Sequence, residues 1–168
     1  FIQTLILGVL VGGVYALMSS GLTLIFGVMR VINVAHGAML ILGAFITYVL
    51  FQNFQIDPIV SILITMPLLF GLGWLIQRHI LSRIESPEQT SVLITFALAL
   101  IIEGILGAIF QTTIRSVKPD YATDAIVLAS YRFPVTRLMG FVSALIVIVC
   151  LNLILYYTNI GRAIRATM

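Results

Sequence analysis

Asn33, His36 and Glu103 are strongly polar side chains set in long apolar runs, and they are the first candidates for chemistry. An ionised carboxylate at mid-bilayer costs about 3 kcal/mol on insertion scales, so a membrane Glu103 must be protonated, paired or hydrated. It can act as counter-ion to a substrate amine or as a proton relay. Alternatively, it is a hydrogen-bonded group joining two helices through the gap left by small residues, since Thr95, Ala99, Glu103 and Gly107 follow one another at steps of four. His36 is its one obvious partner. Enzyme signatures are missing: the sequence has no HExxH, no GxSxG and no His/Cys cluster at metal-ligand spacing. The single lysine, Lys118, lies between Val117 and Pro119 without a glycine-rich loop, which excludes a Walker A motif. The chain therefore reads as a non-enzyme with no metal and no cofactor, and any nucleotide energy must come from another chain.

The elements that position these residues follow from composition. Of 168 residues, 61% are hydrophobic and 9% charged, where a soluble domain has roughly 45–50% and 25%. With a mean hydropathy of +1.17, most of the apolar surface must face lipid. The net charge of +3 does not indicate nucleic acid, because the nine basic residues are scattered singly between apolar runs. Cys150 is the only cysteine and cannot form an intrachain disulfide. The chain opens at Phe1 without Met and closes at Met168 in a basic, helix-like stretch, which reads as part of a longer protein.

Charge-free runs mark the spans, each needing about 20 apolar residues. No Asp, Glu, Lys or Arg occurs in 1–29, 31–56, 58–77 or 138–161, and 89–114 contains only Glu103. The expected fold is all-α and polytopic, with five membrane spans. The first is too long for the core of a signal peptide and lacks a basic leader. Asp57-Pro58 reads as an N-cap followed by the first helical residue, and Ser86-Pro87-Glu88-Gln89 as a capping box with Pro at N1. The polar stretch 115–137 should lie at one membrane face. Five crossings place Arg30, Arg78, Arg83, Arg162 and Arg165 on one side, and Arg115, Lys118, Arg132 and Arg137 on the other. The connection 52–57 has no basic residue, which tilts its side outward and the carboxyl end toward the cytoplasm.

At about 100° per residue, Asn33, His36, Gly37, Leu40, Gly43, Ala44, Thr47 and Tyr48 share one arc of the second span, with Leu42 and Phe45 outside it. Lipid cannot satisfy an amide or an imidazole, so this face must look into protein or water. It either lines a translocation route or forms a glycine-rich helix contact. In the first span, Gly8, Gly12, Ala16 and Ser20 form a small-residue stripe suited to tight packing on a neighbouring helix.

The run from Gly8 to Tyr48, GVLVGGVYALMSSGLTLIFGVMRVINVAHGAMLILGAFITY, resembles the start of the permease subunits of branched-chain amino acid ABC importers. Gly13, Tyr15, Ala16, Leu17, Gly21, Leu22, Ile25, Phe26 and Gly27 match its first segment; Ile32, Asn33, Ala35, His36, Gly37, Leu42, Gly43 and Ala44 match its IN-AHG and LGA segments. The stretch beginning at Ser86 resembles the family's central span, and GRAIRA, Gly161 to Ala166, resembles the start of its cytoplasmic coupling loop. Ala38 stands where many members carry an acidic residue. The resemblance implies that 1–168 is the first part of a transmembrane permease domain, with 158–168 opening the coupling loop. It also implies a second permease subunit, cytoplasmic ATP-binding subunits, an extracytoplasmic substrate-binding protein and a location in the plasma (inner) membrane of a prokaryote. Asn33, His36, Gly37, Thr47, Tyr48 and Glu103 are then substrate-pathway candidates, and Gly161, Arg162 and Arg165 are candidates for ATPase coupling. Two alternatives stay open: a secondary transporter or channel using Glu103 and His36, and a structural membrane subunit.

Overall fold

The computed structural model describes residues 1–83, 87–111, 115–128 and 131–167. Five helices are long and apolar enough to cross a bilayer, so the chain is an all-α polytopic membrane protein. They are α1 (Ile2–Met29), α2 (His36–Phe54), α3 (Pro58–His79), α4 (Pro87–Phe110) and α5 (Val135–Tyr157); a short α6 (Asn159–Thr167) follows. The helices fall into two compact units, one made of Phe1–Met29 with Asp120–Met168 and the other of Arg30–Pro119.

Helix ends depart from the charge-free runs for local reasons. Arg30 adopts a left-handed φ of 50° that stops α1, and residues 31–35 are not helical, so α2 starts at His36 and not at Val31. At its other end Gln55 takes φ 55°; its N–H donates to the Phe51 carbonyl at 3.0 Å, and the Ile56 N–H to that of Leu50 at 3.4 Å. These bonds close the last turn as a left-handed cap. The start of α3 is as the sequence indicates: Asp57 Oδ1 accepts the Ile59 N–H at 2.8 Å, with Pro58 in the first turn. Helix α4 begins at Pro87; Ser86, the expected cap, lies outside the described residues, as does Met168.

In the 30–119 unit, α2 packs on both α3 and α4. Ala35, Ala38 and Ala99 form the buried centre, with Leu98 and Ile102 against it. Small side chains let the α2 and α4 backbones approach closely, which is how helices associate where no water drives them together. At the far end of the pair, the rings of Phe45 and Phe110 lie 4.5 Å apart and Tyr48 meets Phe110 edge-on at 6.3 Å.

In the other unit, α1 packs on α5. A Cβ at Gly13 would stand 2.7 Å from Cε2 of Phe141, so the ring lies directly on the glycine backbone. Leu10 and Ala144 are buried. The stretch 115–137 holds an antiparallel hairpin, β1 (Ala125–Leu128) with β2 (Tyr131–Pro134), in register Ala125 to Pro134. The Gln3 amide donates to the Arg132 carbonyl at 3.2 Å, tying the start of α1 to the hairpin. Helix α5 begins directly after β2 and includes Arg137, which the sequence had placed in the preceding loop.

Candidate functional site

Between α1 and α2 the backbone is irregular over 31–35. Asn33 was expected on a helical face, but it precedes α2: its Oδ1 accepts the Ala35 N–H at 3.1 Å, and its carbonyl accepts the His36 N–H at 3.2 Å. An Asn side chain that bonds two residues ahead offers the backbone a turn in place of a helix. The break is held from outside by Thr95 of α4, 1% exposed. Its hydroxyl accepts the Val34 N–H at 3.1 Å and lies 2.8 Å from the Ser91 carbonyl, the nearest acceptor for its single proton, with the Ile32 carbonyl at 3.3 Å. Thr95 is eight residues into α4 from Pro87, about 12 Å at 1.5 Å per residue. The irregular segment is therefore level with the third turn of α4. Non-helical backbone packed against an apolar helix needs protein or water to satisfy its N–H and C=O groups. In the sequence Thr95 stands out only as a neighbour of Glu103; a threonine in an apolar helix gives no sign that another segment's N–H will seek it.

Helix α2 distributes its polar arc over two surroundings. One edge packs on α3: a Cβ at Gly43 would stand 3.0 Å from Leu69 Cδ1 and 3.7 Å from Thr65 Cγ2, and the Thr47 and Ser61 hydroxyls are hydrogen-bonded at 3.3 Å. Ser61 also donates to the Pro58 carbonyl at 2.7 Å, and Thr65 Oγ1 is buried without a hydrogen-bond partner among the described residues. The other edge, with Gly37, Leu40 and Ala44, is exposed, and nothing stands within 4 Å of a Cβ built at Gly37. His36 and Tyr48 are half-buried. The Tyr48 hydroxyl accepts from the Gln52 amide at 3.3 Å, and the Arg115 guanidinium lies 6.0 Å from the Tyr48 ring centre.

Glu103 is exposed on α4, whereas Thr95 and Ala99 are buried. Steps of four turn the stripe by about 40° each, which carries Glu103 and Gly107 off the face that meets α2. Within the described residues Glu103 is thus left on the exposed side of α4. The stripe on α1 also lies away from its helix neighbour within the unit. Gly8 and Gly12 are open, Ala16 is exposed, Ser20 donates to its own Leu17 carbonyl at 2.7 Å, and α5 meets Gly13 and Val14 instead. Spacing shows which residues are small; the bulk of Phe141 decides which glycine is used.

At the carboxyl end, Thr158 separates α5 from α6. Its hydroxyl donates to the Ile154 carbonyl at 2.6 Å and accepts the Gly161 N–H at 3.0 Å, closing one helix and capping the next. Gly161 is buried, and a Cβ there would collide with the backbone carbonyls of Ile154 and Leu155. Arg165 donates to the Tyr156 carbonyl at 3.4 Å with its guanidinium 4.9 Å from that residue's ring centre, and Arg162 bonds the Asn159 side chain. The two arginines thus reach back toward α5 and their own helix. No group of three or more potential metal ligands occurs among the described residues.

The sequence pattern of the family described as "branched-chain amino acid transport system / permease component" matches residues 4–168. The chain is 32% identical over 164 residues to a Methanocaldococcus jannaschii protein named "probable branched-chain amino acid transport permease protein LivH", covering 90% of this chain and 50% of the relative. It is 22% identical over 179 residues to the high-affinity branched-chain amino acid transport system permease protein LivH of Salmonella typhimurium, covering 99% of this chain and 58% of the relative. A third similarity, 37% over 49 residues, is to the permease protein BraD of Pseudomonas aeruginosa, covering 29% of this chain and 16% of the relative. The chain thus spans about half the length of the curated relatives it matches most fully. No solved structure is a significant match. With five apolar helices in place and the family pattern running through all of them, the chain belongs to the permease components of branched-chain amino acid transport systems.

Proposed function

We propose that this chain is part of a permease subunit of an ATP-driven importer for branched-chain or related amino acids, in the plasma membrane of a prokaryote. The observation that carries the reading is the family match over 4–168 laid on five membrane-capable helices. In this reading 1–168 belongs to the transmembrane permease domain. Residues 158–168 open a cytoplasmic segment that meets ATP-binding subunits, which hydrolyse the nucleotide. A second permease subunit completes the pathway, and an extracytoplasmic binding protein delivers the substrate.

The geometry supports a route along the open edge of α2. Helix termini offer fixed N–H and C=O dipoles, and membrane transporters set such ends against substrate. Here the break at 31–35 leads into His36 and Gly37, and the open edge continues through Leu40 and Ala44 toward Tyr48. Gly8, Gly12, Ala16 and Ser20 are a surface for a further helix of the complete permease. The test is copurification of the native complex with its ATP-binding subunits, followed by substrate-stimulated hydrolysis in liposomes. Stimulation only when loaded binding protein is present supports the importer; uptake that follows an ion gradient without ATP would shift the chemistry to Glu103 and His36.

A further inference from the structure

Three independent contacts fix the angle between α5 and α6. Thr158 bonds both helices through one hydroxyl, donating to Ile154 at 2.6 Å and accepting from Gly161 at 3.0 Å. The main chain adds two more bonds through the same residue, its N–H to the Ile154 carbonyl at 3.2 Å and its carbonyl from the Arg162 N–H at 3.0 Å. Gly161 then presses its backbone against the carbonyls of Ile154 and Leu155, where no side chain fits. Arg165 closes the outer side by bonding the Tyr156 carbonyl and covering the Tyr156 ring. A one-residue connection with a free rotor would act as a hinge. This one is blocked by the Thr158 hydroxyl on one side, by backbone contact at Gly161 beneath, and by a cation over an aromatic ring at the outer end.

From this we infer that Thr158, Gly161 and Arg165 lock α5 and α6 into one rigid lever, so that a force applied to α6 turns the membrane helix α5 instead of bending the junction. The three are positioning residues, since none needs to touch substrate or nucleotide. The lever's role in transport rests on the reading above that α6 meets the ATP-binding subunits; the rigidity of the joint does not. The joint also gives Gly161 a function distinct from docking: it is required by the fold of the junction, and a partner surface need not touch it.

The experiment uses the complete native complex with Cys150, an exposed cysteine, replaced by alanine and spin labels at L153C and A163C, two exposed positions on α5 and α6. The distance distribution between the labels is expected to be narrow and to stay the same in nucleotide-free and ATP-trapped states. Thr158→Val should broaden it and lower amino acid uptake per ATP hydrolysed about tenfold, within the range for a coupling residue, while Thr158→Ser, which keeps the hydroxyl, should restore both. A distance that changes between nucleotide states in the unsubstituted joint, or wild-type uptake per ATP in Thr158→Val, would overturn the lever. Should Gly161→Ala fail to assemble, the Thr158 pair still decides. Absence of ATP-binding subunits from the complex would remove the importer reading and the lever's role with it, while the label distance would still report whether the joint is rigid.

Discussion

The Thr95 hydroxyl receives the backbone N–H of Val34 at 3.1 Å, taking the place of the carbonyl four residues back that an unbroken helix would offer. One side chain of α4 thus stabilises a break that would otherwise leave the Val34 N–H without this partner. Thr95→Val keeps the shape and removes the acceptor, so it should lower stability by about 1–3 kcal/mol and reduce uptake. Thr95→Ser should retain most of both. Thermal unfolding of the purified complex, followed by intrinsic fluorescence beside an uptake assay, reads the two effects together.

Close packing of α2 on α3 depends on Gly43. A single methyl would meet only the mobile end of Leu69 at 3.0 Å, so Gly43→Ala should be tolerated with a small loss. Gly43→Val must also displace Thr65 and should cost about 1–3 kcal/mol, the range for overpacking. Comparing the melting temperatures of the two variants separates a tight but yielding contact from a rigid one.

The open edge of α2 gives a labelling pattern. Single cysteines at Gly37, Leu40 and Ala44 should react with a water-borne thiol reagent more readily than cysteines at Ala38, Gly43 or Phe45, which face other helices. The helical period should fail on the amino-terminal side of His36, because residues 31–35 are not helical. Uniform protection along the whole segment through the transport cycle would leave only a packing role for this face.

The helices are legible in the sequence, and most of what joins them is not. Five apolar runs bounded by charge are legible because lipid excludes charge, and the Asp57-Pro58 cap is legible because both residues act within one turn. The Thr95 contact joins residues 61 positions apart, and the choice of Gly13 over Gly12 depends on Phe141 of another helix. Neither relation leaves a local periodic signal. The arc on α2 was legible as polar and small, but its division between α3 and an open edge was not, since both uses favour the same residues. The hairpin at 125–134 was missed because its strands are short and follow a stretch rich in turn-forming residues.

Glu103→Gln removes the charge and keeps the shape and most of the hydrogen-bonding capacity. Uptake should largely survive in this variant if Glu103 serves as a neutral polar contact in the complete permease. A charged counter-ion or proton relay would make the same change nearly abolish uptake. Initial rates in liposomes, normalised to assembled complex, decide between them.

Charge reversal of Arg162 and Arg165 together should uncouple ATP hydrolysis from uptake while membrane insertion stays normal. Both side chains sit on α6, and reversal of Arg165 also removes its bond to the Tyr156 carbonyl. Arg165→Gln alone should therefore weaken coupling less than the double reversal, a ranking that parallel hydrolysis and uptake assays can check.

In the proposed function this chain works as part of an ATP-driven permease for branched-chain amino acids. Its most direct test is uptake of radiolabelled leucine into liposomes holding the complete native complex, with ATP supplied on the side of the nucleotide-binding subunits and loaded binding protein on the other. Uptake should need both and stop when this subunit is omitted. Uptake driven by an ion gradient in the absence of ATP, or unchanged uptake without this subunit, would contradict it.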